Sequence, residues 1–206
     1  MRLPGIQAVI FDLGRVIVPF DFERGYQQLS SRSLLSTEEI RDRIRATGLV
    51  QQFETGLIEP APFVAGIGEA LGIAMSVEEF SVIWNSIFSH ETLIPEEMLT
   101  GLKRRYRLLL LSNTNALHFT GLEADYPLLQ HFHHHVLSYR VQVMKPDPEI
   151  YRKAAELAGC EAGECLFIDD LEENVAGAQR AGMQAVLFRS REELEHDFTR
   201  LGVIWK

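Results

Sequence analysis

Three short apolar runs, each halted by a polar residue, constrain this chain more than any other feature. Ala8–Phe11 stops at Asp12, Leu108–Leu111 at Ser112-Asn113-Thr114, and Cys165–Ile168 at Asp169-Asp170. Four consecutive apolar residues without polar alternation suit strands buried on both faces, as in parallel sheets. Parallel strands need long crossovers, and helix-period sequence fills the intervals between these runs. In open α/β sheets the ligand crevice lies outside the carboxyl ends of the strands, so the three polar stops are expected to meet in one place.

Taken in order, the chain switches after Val18 to four helical patterns: Phe22–Ser30, Thr37–Thr47, Pro60–Leu71 and Ser76–Phe88. Ser36 or Thr37 before Glu38-Glu39, and Ser76 before Glu78-Glu79, read as N-caps, and Gly48, Gly56 and Gly72 punctuate the segment. No strand pattern interrupts it. An all-helical unit, residues 19–92, is therefore expected as an insertion into a core made of residues 1–18 and 93–206, placed over the sheet as a lid. From Pro95 the alternation resumes. A helix is expected over Pro95–Tyr106, Asn115–His131 reads as helical or irregular with a break at Pro127, and Val136-Leu137-Ser138 as a strand. Helix Pro148–Ala158, helix Glu172–Ala181, strand Ala185–Phe188 and helix Arg191–Leu201 follow. Right-handed crossovers then give an α/β fold, a doubly wound parallel sheet of about five strands.

The 206 residues, 46% hydrophobic, suffice for a sizeable core plus a small accessory unit. A net charge of −9 argues against general affinity for nucleic acid or an anionic membrane, both of which want a basic face. Cys160 and Cys165 form neither a zinc knuckle nor a disulfide framework, which fits reducing cytoplasm. The start of the chain, with Arg2, Pro4 and Gly5, carries no export pattern, and no stretch has the roughly 18 apolar residues of a membrane span. A small phosphorylated partner stays open, because local positive groups or a metal can overrule the net field; the expected state is a monomer or small homo-oligomer.

Between the second and third polar stops lies Lys145, in Met144-Lys145-Pro146-Asp147-Pro148, a loop stiffened by two prolines. Clustered carboxylates repel unless a divalent cation sits among them, and oxygen ligands favour Mg²⁺. A lysine keeps a neighbouring aspartate ionised, and a hydroxyl with backbone N–H groups holds a phosphate oxygen. An ionised carboxylate beside Mg²⁺ is a competent nucleophile toward phosphorus.

These residues resemble the haloacid dehalogenase-like hydrolases with a helical cap, a Rossmann-like family. Phe11-Asp12-Leu13-Gly14, Leu111-Ser112-Asn113-Thr114, Lys145-Pro146 and Phe167-Ile168-Asp169-Asp170 with Asn174 follow the family's order and spacing across nearly the whole chain. The resemblance implies that Asp12 is the nucleophile and a Mg²⁺ ligand, with the Gly14 carbonyl and Asp170 as further ligands and Asp169 acting directly or through water. It implies that Ser112 and the N–H of Asn113 bind the phosphoryl group and that Lys145 neutralises it and holds Asp12. Asn174 stands where many members have an acid.

Family phosphatases usually carry a second aspartate two positions after the nucleophile, to protonate the leaving oxygen, and here that position is Gly14, which has no proton to give. Dehalogenases also lack this acid, so a carbon–halogen hydrolase is one competing reading, and a non-catalytic phosphate-binding regulator is another. Against them, Asp12-Leu13-Gly14 with Ser112-Asn113-Thr114-Asn115 resembles the branch of bacterial sugar-phosphate phosphatases that includes α-D-glucose-1-phosphate phosphatase. The expected activity is accordingly a Mg²⁺-dependent phosphatase working through an aspartyl-phosphate. Either Asp21 or another cap residue replaces the missing acid, or Asp21 N-caps the first cap helix. His118 either faces the cleft or belongs to surface or core; Arg15, where the family often has a small or amide residue, either meets a substrate anion or has no part in the site. Phe20, Phe53, Glu54 and His90 are where the cap could touch substrate. His131, His133, His134 and His135 invite a metal reading, but sequence neighbours on a strand point to opposite sides and few could share one ion.

Overall fold

The computed structural model describes residues 5–206; the expectations resting on residues 1–4, Arg2 and Pro4 among them, lie outside these. Five parallel strands form one sheet: β1 Ala8–Phe11, β2 Arg107–Ser112, β3 His134–Leu137, β4 Cys165–Asp169 and β5 Gln184–Leu187, in the order β3-β2-β1-β4-β5. The sheet is buried on both sides, as the unbroken apolar runs require. Val9 and Phe11 enter one hydrophobic cluster, while Ala8 and Ile10 enter the other. Each of the larger side chains, Val9, Ile10 and Phe11, contributes roughly 1.5–3 kcal/mol on leaving water.

Between β1 and β2 come α1 Phe22–Ser30, α2 Thr37–Thr47, α3 Leu49–Glu54, α4 Pro60–Leu71 and α5 Val77–Asn85, then α6 Glu96–Lys103. Helices α1 to α5 gather around a cluster of their own, which includes Leu29, Ile40, Phe53, Phe63, Phe80 and Trp84. Ser36 and Ser76 both build the capping boxes expected of them, with Glu39 and Glu79 answering. The remaining helices are α7 Ala116–Asp125, α8 Ser138–Val141, α9 Pro148–Ala158, α10 Glu172–Arg180 and α11 Arg191–Leu201.

Two departures from the sequence expectation concern short elements. Residues 49–54 form a helix, α3, where no element was expected; with six residues it is too short to show a helical period. The third strand covers His134–Leu137, and Ser138 opens α8 rather than ending the strand. A single turn of helix leaves no trace in a periodicity argument.

The two chain crossings between sheet and helical unit are paired with each other. Phe20 and Phe88 form an antiparallel bridge, flanked by Asp21 N–H to the Ile87 carbonyl at 2.9 Å and Ser89 N–H to the Pro19 carbonyl at 3.2 Å. Among the described residues no helix is long and apolar enough to cross a membrane.

Candidate active site

Strand order explains why residues about a hundred positions apart become neighbours. β1 lies between β2 and β4, and Phe11 pairs with Leu110 on one side and Ile168 on the other. The residues that end these strands therefore stand side by side: Asp12, Ser112 and Asp169, all buried. The Asp12 N–H continues the ladder to the Ile168 carbonyl at 2.9 Å, which fixes the direction of its side chain.

Lys145 reaches this row from the loop before α9. Its ammonium lies 2.8 Å from Asp12 Oδ1 and 2.6 Å from Asp169 Oδ2. The loop is tied to the end of β2: the Lys145 N–H donates to Asn113 Oδ1 at 2.8 Å and Asn113 Nδ2 donates to the Lys145 carbonyl at 3.0 Å. Burial works against the Lys145 charge, but Asp12 and Asp169 outweigh it and raise its pKa. Asp169 is held from every side. Asn174 Nδ2 donates to both of its oxygens at 2.9 and 3.1 Å, and the Leu171 N–H donates to Oδ1 at 2.9 Å.

Oxygens of Asp12, Asp169 and Asp170 lie within 4.8 Å of one another. Burial raises the Asp12 carboxyl to about 6, opposed chiefly by Lys145. Burial, with Asp169 beside it, also raises Asp170. Three hard oxygen donors at one point, with burial resisting the charge of Asp12 and Asp170, have the chemistry of a divalent-cation site.

Above the row, two cavities open between sheet and helical unit. The inner one, about 70 Å³, is bounded by Gly14, Ser112, Asn113 and Thr114 below and by Phe20, Glu54 and His118 above. The outer one, about 490 Å³, shares Glu54 and His118 and brings in Arg15, Asp21, Arg41 and Arg45. Gly14 is required by its neighbour: a Cβ there would lie 2.6 Å from Phe20 Cε1. The Phe20 ring also carries the Arg15 guanidinium, 4.7 Å from its centroid. Arg15 itself takes a left-handed φ of 56°, unusual for a residue with a side chain.

The family model for haloacid dehalogenase-like hydrolases matches residues 6–182. The chain belongs to the haloacid dehalogenase-like hydrolase family. A haloacid dehalogenase (HAD) family enzyme from Bacteroides thetaiotaomicron, solved in complex with magnesium and inorganic phosphate, is 32% identical and superposes with a TM-score of 0.83, covering 94% of this chain and 100% of its own. A D-ribitol-5-phosphate phosphatase from the same organism is 27% identical over 87% of this chain and 90% of its own length. A HAD-like hydrolase from Porphyromonas gingivalis is 25% identical with a TM-score of 0.79, over 96% of this chain and 98% of its own.

In this haloacid dehalogenase-like hydrolase, then, Asp12, Ser112, Asn113, Lys145, Asp169, Asp170 and the Gly14 backbone converge on one site. Other candidates resolve differently. Asp21 is exposed and N-caps α1, accepting from the Glu23 N–H at 3.0 Å, the structural reading of the two. His118 faces the cleft, yet both ring nitrogens are engaged: Asn115 Nδ2 lies 3.1 Å from Nδ1 and the Trp84 carbonyl 3.0 Å from Nε2. Burial pushes its pKa down to about 4, so the ring is neutral. Phe53 is stacked on Phe63 inside the helical unit and does not face the cleft. His90 lines a separate groove with Arg24 and Tyr126. The four neighbouring histidines disperse: His131 pairs with Glu96, His133 accepts from the Leu108 N–H, and His135 bonds the Leu129 carbonyl. Ser138 carries no sequence signal that marks it as a site residue. Its buried hydroxyl donates to the Glu54 carbonyl at 2.6 Å and accepts from the Thr114 N–H at 2.9 Å, joining α3 to the loop after β2.

Proposed function

We propose that this chain is a Mg²⁺-dependent phosphatase of small phosphorylated polyols or sugars that works through a phosphorylated Asp12. The observation that carries this reading is the buried Asp12 carboxylate, held at 2.8 Å by Lys145 and grouped with Asp169 and Asp170 at the strand ends, where Ser112 and Asn113 line a cleft. The relatives named above support it, one called a D-ribitol-5-phosphate phosphatase and one solved with magnesium and inorganic phosphate.

The donor set fits the ion. Asp12, Asp170 and the Gly14 carbonyl would hold Mg²⁺, and Asp169, whose oxygens already accept from Lys145, Asn174 and Leu171, serves mainly to anchor the lysine. Bound there, the ion supplies charge neutralisation at the phosphoryl oxygens. Ser112 Oγ and the Asn113 N–H bind those oxygens, while Lys145 keeps Asp12 ionised and points it at phosphorus. Asp12 displaces the leaving alcohol, and water then hydrolyses the acyl phosphate and frees the carboxylate. The helical unit acts as a cap: it closes the cavity over the reaction and presents the residues that choose the alcohol.

Hydrolysis of a panel of phosphate monoesters, including ribitol 5-phosphate and glucose 1-phosphate, tests the proposal with and without Mg²⁺. Phosphate release that requires Mg²⁺ and is lost in Asp12→Asn is expected. No release from any ester, alkyl or aryl, overturns it, and halide release from 2-haloacids would put a carbon–halogen hydrolase in its place.

A further inference from the structure

We propose that Glu54, on the helical unit, is the proton donor to the leaving oxygen and then the base that activates water. The proposal rests on the phosphatase reading above and names the residue that completes it.

An alkoxide is a poor leaving group, and a proton delivered to it as the P–O bond breaks is worth about 10²–10⁴ in rate. The loop after Asp12 cannot deliver one. Gly14 has no side chain, and the Phe20 ring fills the space that one would need. Of the side chains around the inner cavity, Glu54 and His118 are the titratable ones. His118 is neutral, with both nitrogens engaged by Asn115 and Trp84. Glu54 remains. It borders both cavities, the inner one together with Ser112 and Asn113 and the outer one together with Tyr26, Arg41 and Arg45 of the helical unit, the boundary that a donor to the leaving oxygen must occupy.

Its position is fixed by more than its own helix. Ser138 Oγ grips the Glu54 carbonyl and the Thr114 backbone together. Thr55 Oγ1 lies 3.6 Å from Met144 Sδ, beside Lys145. Gly56, at φ 70°, lies against the Tyr139 backbone so closely that a Cβ would collide with the Tyr139 carbonyl. The end of α3 is thus bolted to the sheet side of the cleft, and general acid catalysis needs that precision of placement. The charged groups sharing its outer cavity are Arg15, Asp21, Glu23, Arg41 and Arg45, with Tyr26 beside them. None of them offsets burial, which alone raises the Glu54 carboxyl to about 7, a value that lets one group give a proton and take one back near neutrality.

In the first step the Asp12 oxygen bonds to phosphorus, the ester P–O bond breaks, and the Glu54 proton passes to the departing oxygen. In the second, the Glu54 carboxylate takes a proton from water, the water oxygen bonds to phosphorus, and the P–O bond to Asp12 breaks. Rapid-quench kinetics of Glu54→Gln with 4-nitrophenyl phosphate and with the best alkyl phosphate separates the two steps. With the aryl ester, whose leaving group needs no proton, one equivalent of nitrophenolate is expected in a burst near the wild-type rate. Turnover then slows by about 10²–10⁴-fold. With the alkyl ester no burst of alcohol is expected. An aryl burst slowed as much as the alkyl step, or steady-state turnover equal to wild type on the alkyl ester, overturns the proposal. A wild-type chain that hydrolyses no ester overturns instead the phosphatase reading, and the role of Glu54 with it.

Discussion

Adding one carbon at position 14 is the smallest change that tests how the site is built. In Gly14→Ala the new methyl meets the edge of Phe20 at 2.6 Å, and the ring, wedged between Arg15 and Phe88, must shift. Overpacking of this kind costs about 1–3 kcal/mol. Phe20→Ala, itself destabilising, makes room for the methyl. Thermal melts of the two single variants and the double are therefore expected to show a cost smaller than the sum, and simple additivity would mean that the residues do not compete for space. A second variant probes charge. Lys145→Met leaves Asp12 and Asp169 buried together without their shared cation, a loss of about 3–5 kcal/mol, and Asp12→Asn in that background recovers part of it. Equal melting of the single and double variants would contradict this account. The residues in these arguments were unequally legible. Asp12, Ser112, Asp169 and Asp170 sit in short local patterns at the ends of apolar runs and Lys145 in a loop marked by two prolines, and strand order does the rest. Phe20 reads as one aromatic among many, and only the packed structure reveals that it occupies the space beside Gly14.

Among the elements, α3 matters most to the chemistry and left the weakest trace. Leu49–Glu54 has six residues, no side-chain N-cap and flanking glycines at 48 and 56, so nothing local marks it as a helix. Its conformation comes from tertiary docking, through Ser138, Met144 and Tyr139. The longer helices with Ser caps, α2 and α5, were legible for the opposite reason: their start signals are local. Glu54 is readable as a point where the cap could touch substrate, but its attachment is not, because Ser138 lies 84 positions away and its local sequence reads as the end of a strand. Ser138→Ala removes the acceptor for the buried Thr114 N–H and the donor to Glu54, which costs about 1–3 kcal/mol. If that hydroxyl positions Glu54, the same variant also slows hydrolysis of an alkyl phosphate more than of an aryl phosphate. Equal slowing of both would limit Ser138 to stability.

For the molecule as a whole, the cleft carries groups that folding disfavours and that ligand binding can relieve, and pH and Mg²⁺ separate them. Glu54, half-buried in the cleft, rises from 4.5 to about 7 because desolvation disfavours its charge. A carboxyl with a raised folded-state pKa is harmless below its unfolded value. It withdraws stability as pH climbs from about 4.5 to about 7, by up to roughly 3 kcal/mol. Glu54→Gln is therefore expected to melt with the wild type near pH 4 and above it at pH 8, each kcal/mol corresponding to about 2–4 °C for a chain of this size. A variant that melts below wild type at pH 8 would show that the carboxylate is paired and stabilising. On the proposed reading Mg²⁺ acts on the other group of carboxylates, Asp12 and Asp170. An ion that binds only the folded chain stabilises it by about 2.7 kcal/mol at a concentration 100 times its dissociation constant. Wild type and Glu54→Gln should both gain melting temperature on titration with Mg²⁺, because Glu54 stands apart from the Asp12, Asp169 and Asp170 oxygens. Asp170→Asn should gain little, since Asp170 is the carboxylate there that Lys145 does not hold. An undiminished Mg²⁺ shift in Asp170→Asn would move the ion away from the end of β4. The cleft would then need another source of charge neutralisation before Asp12 could attack a phosphate dianion.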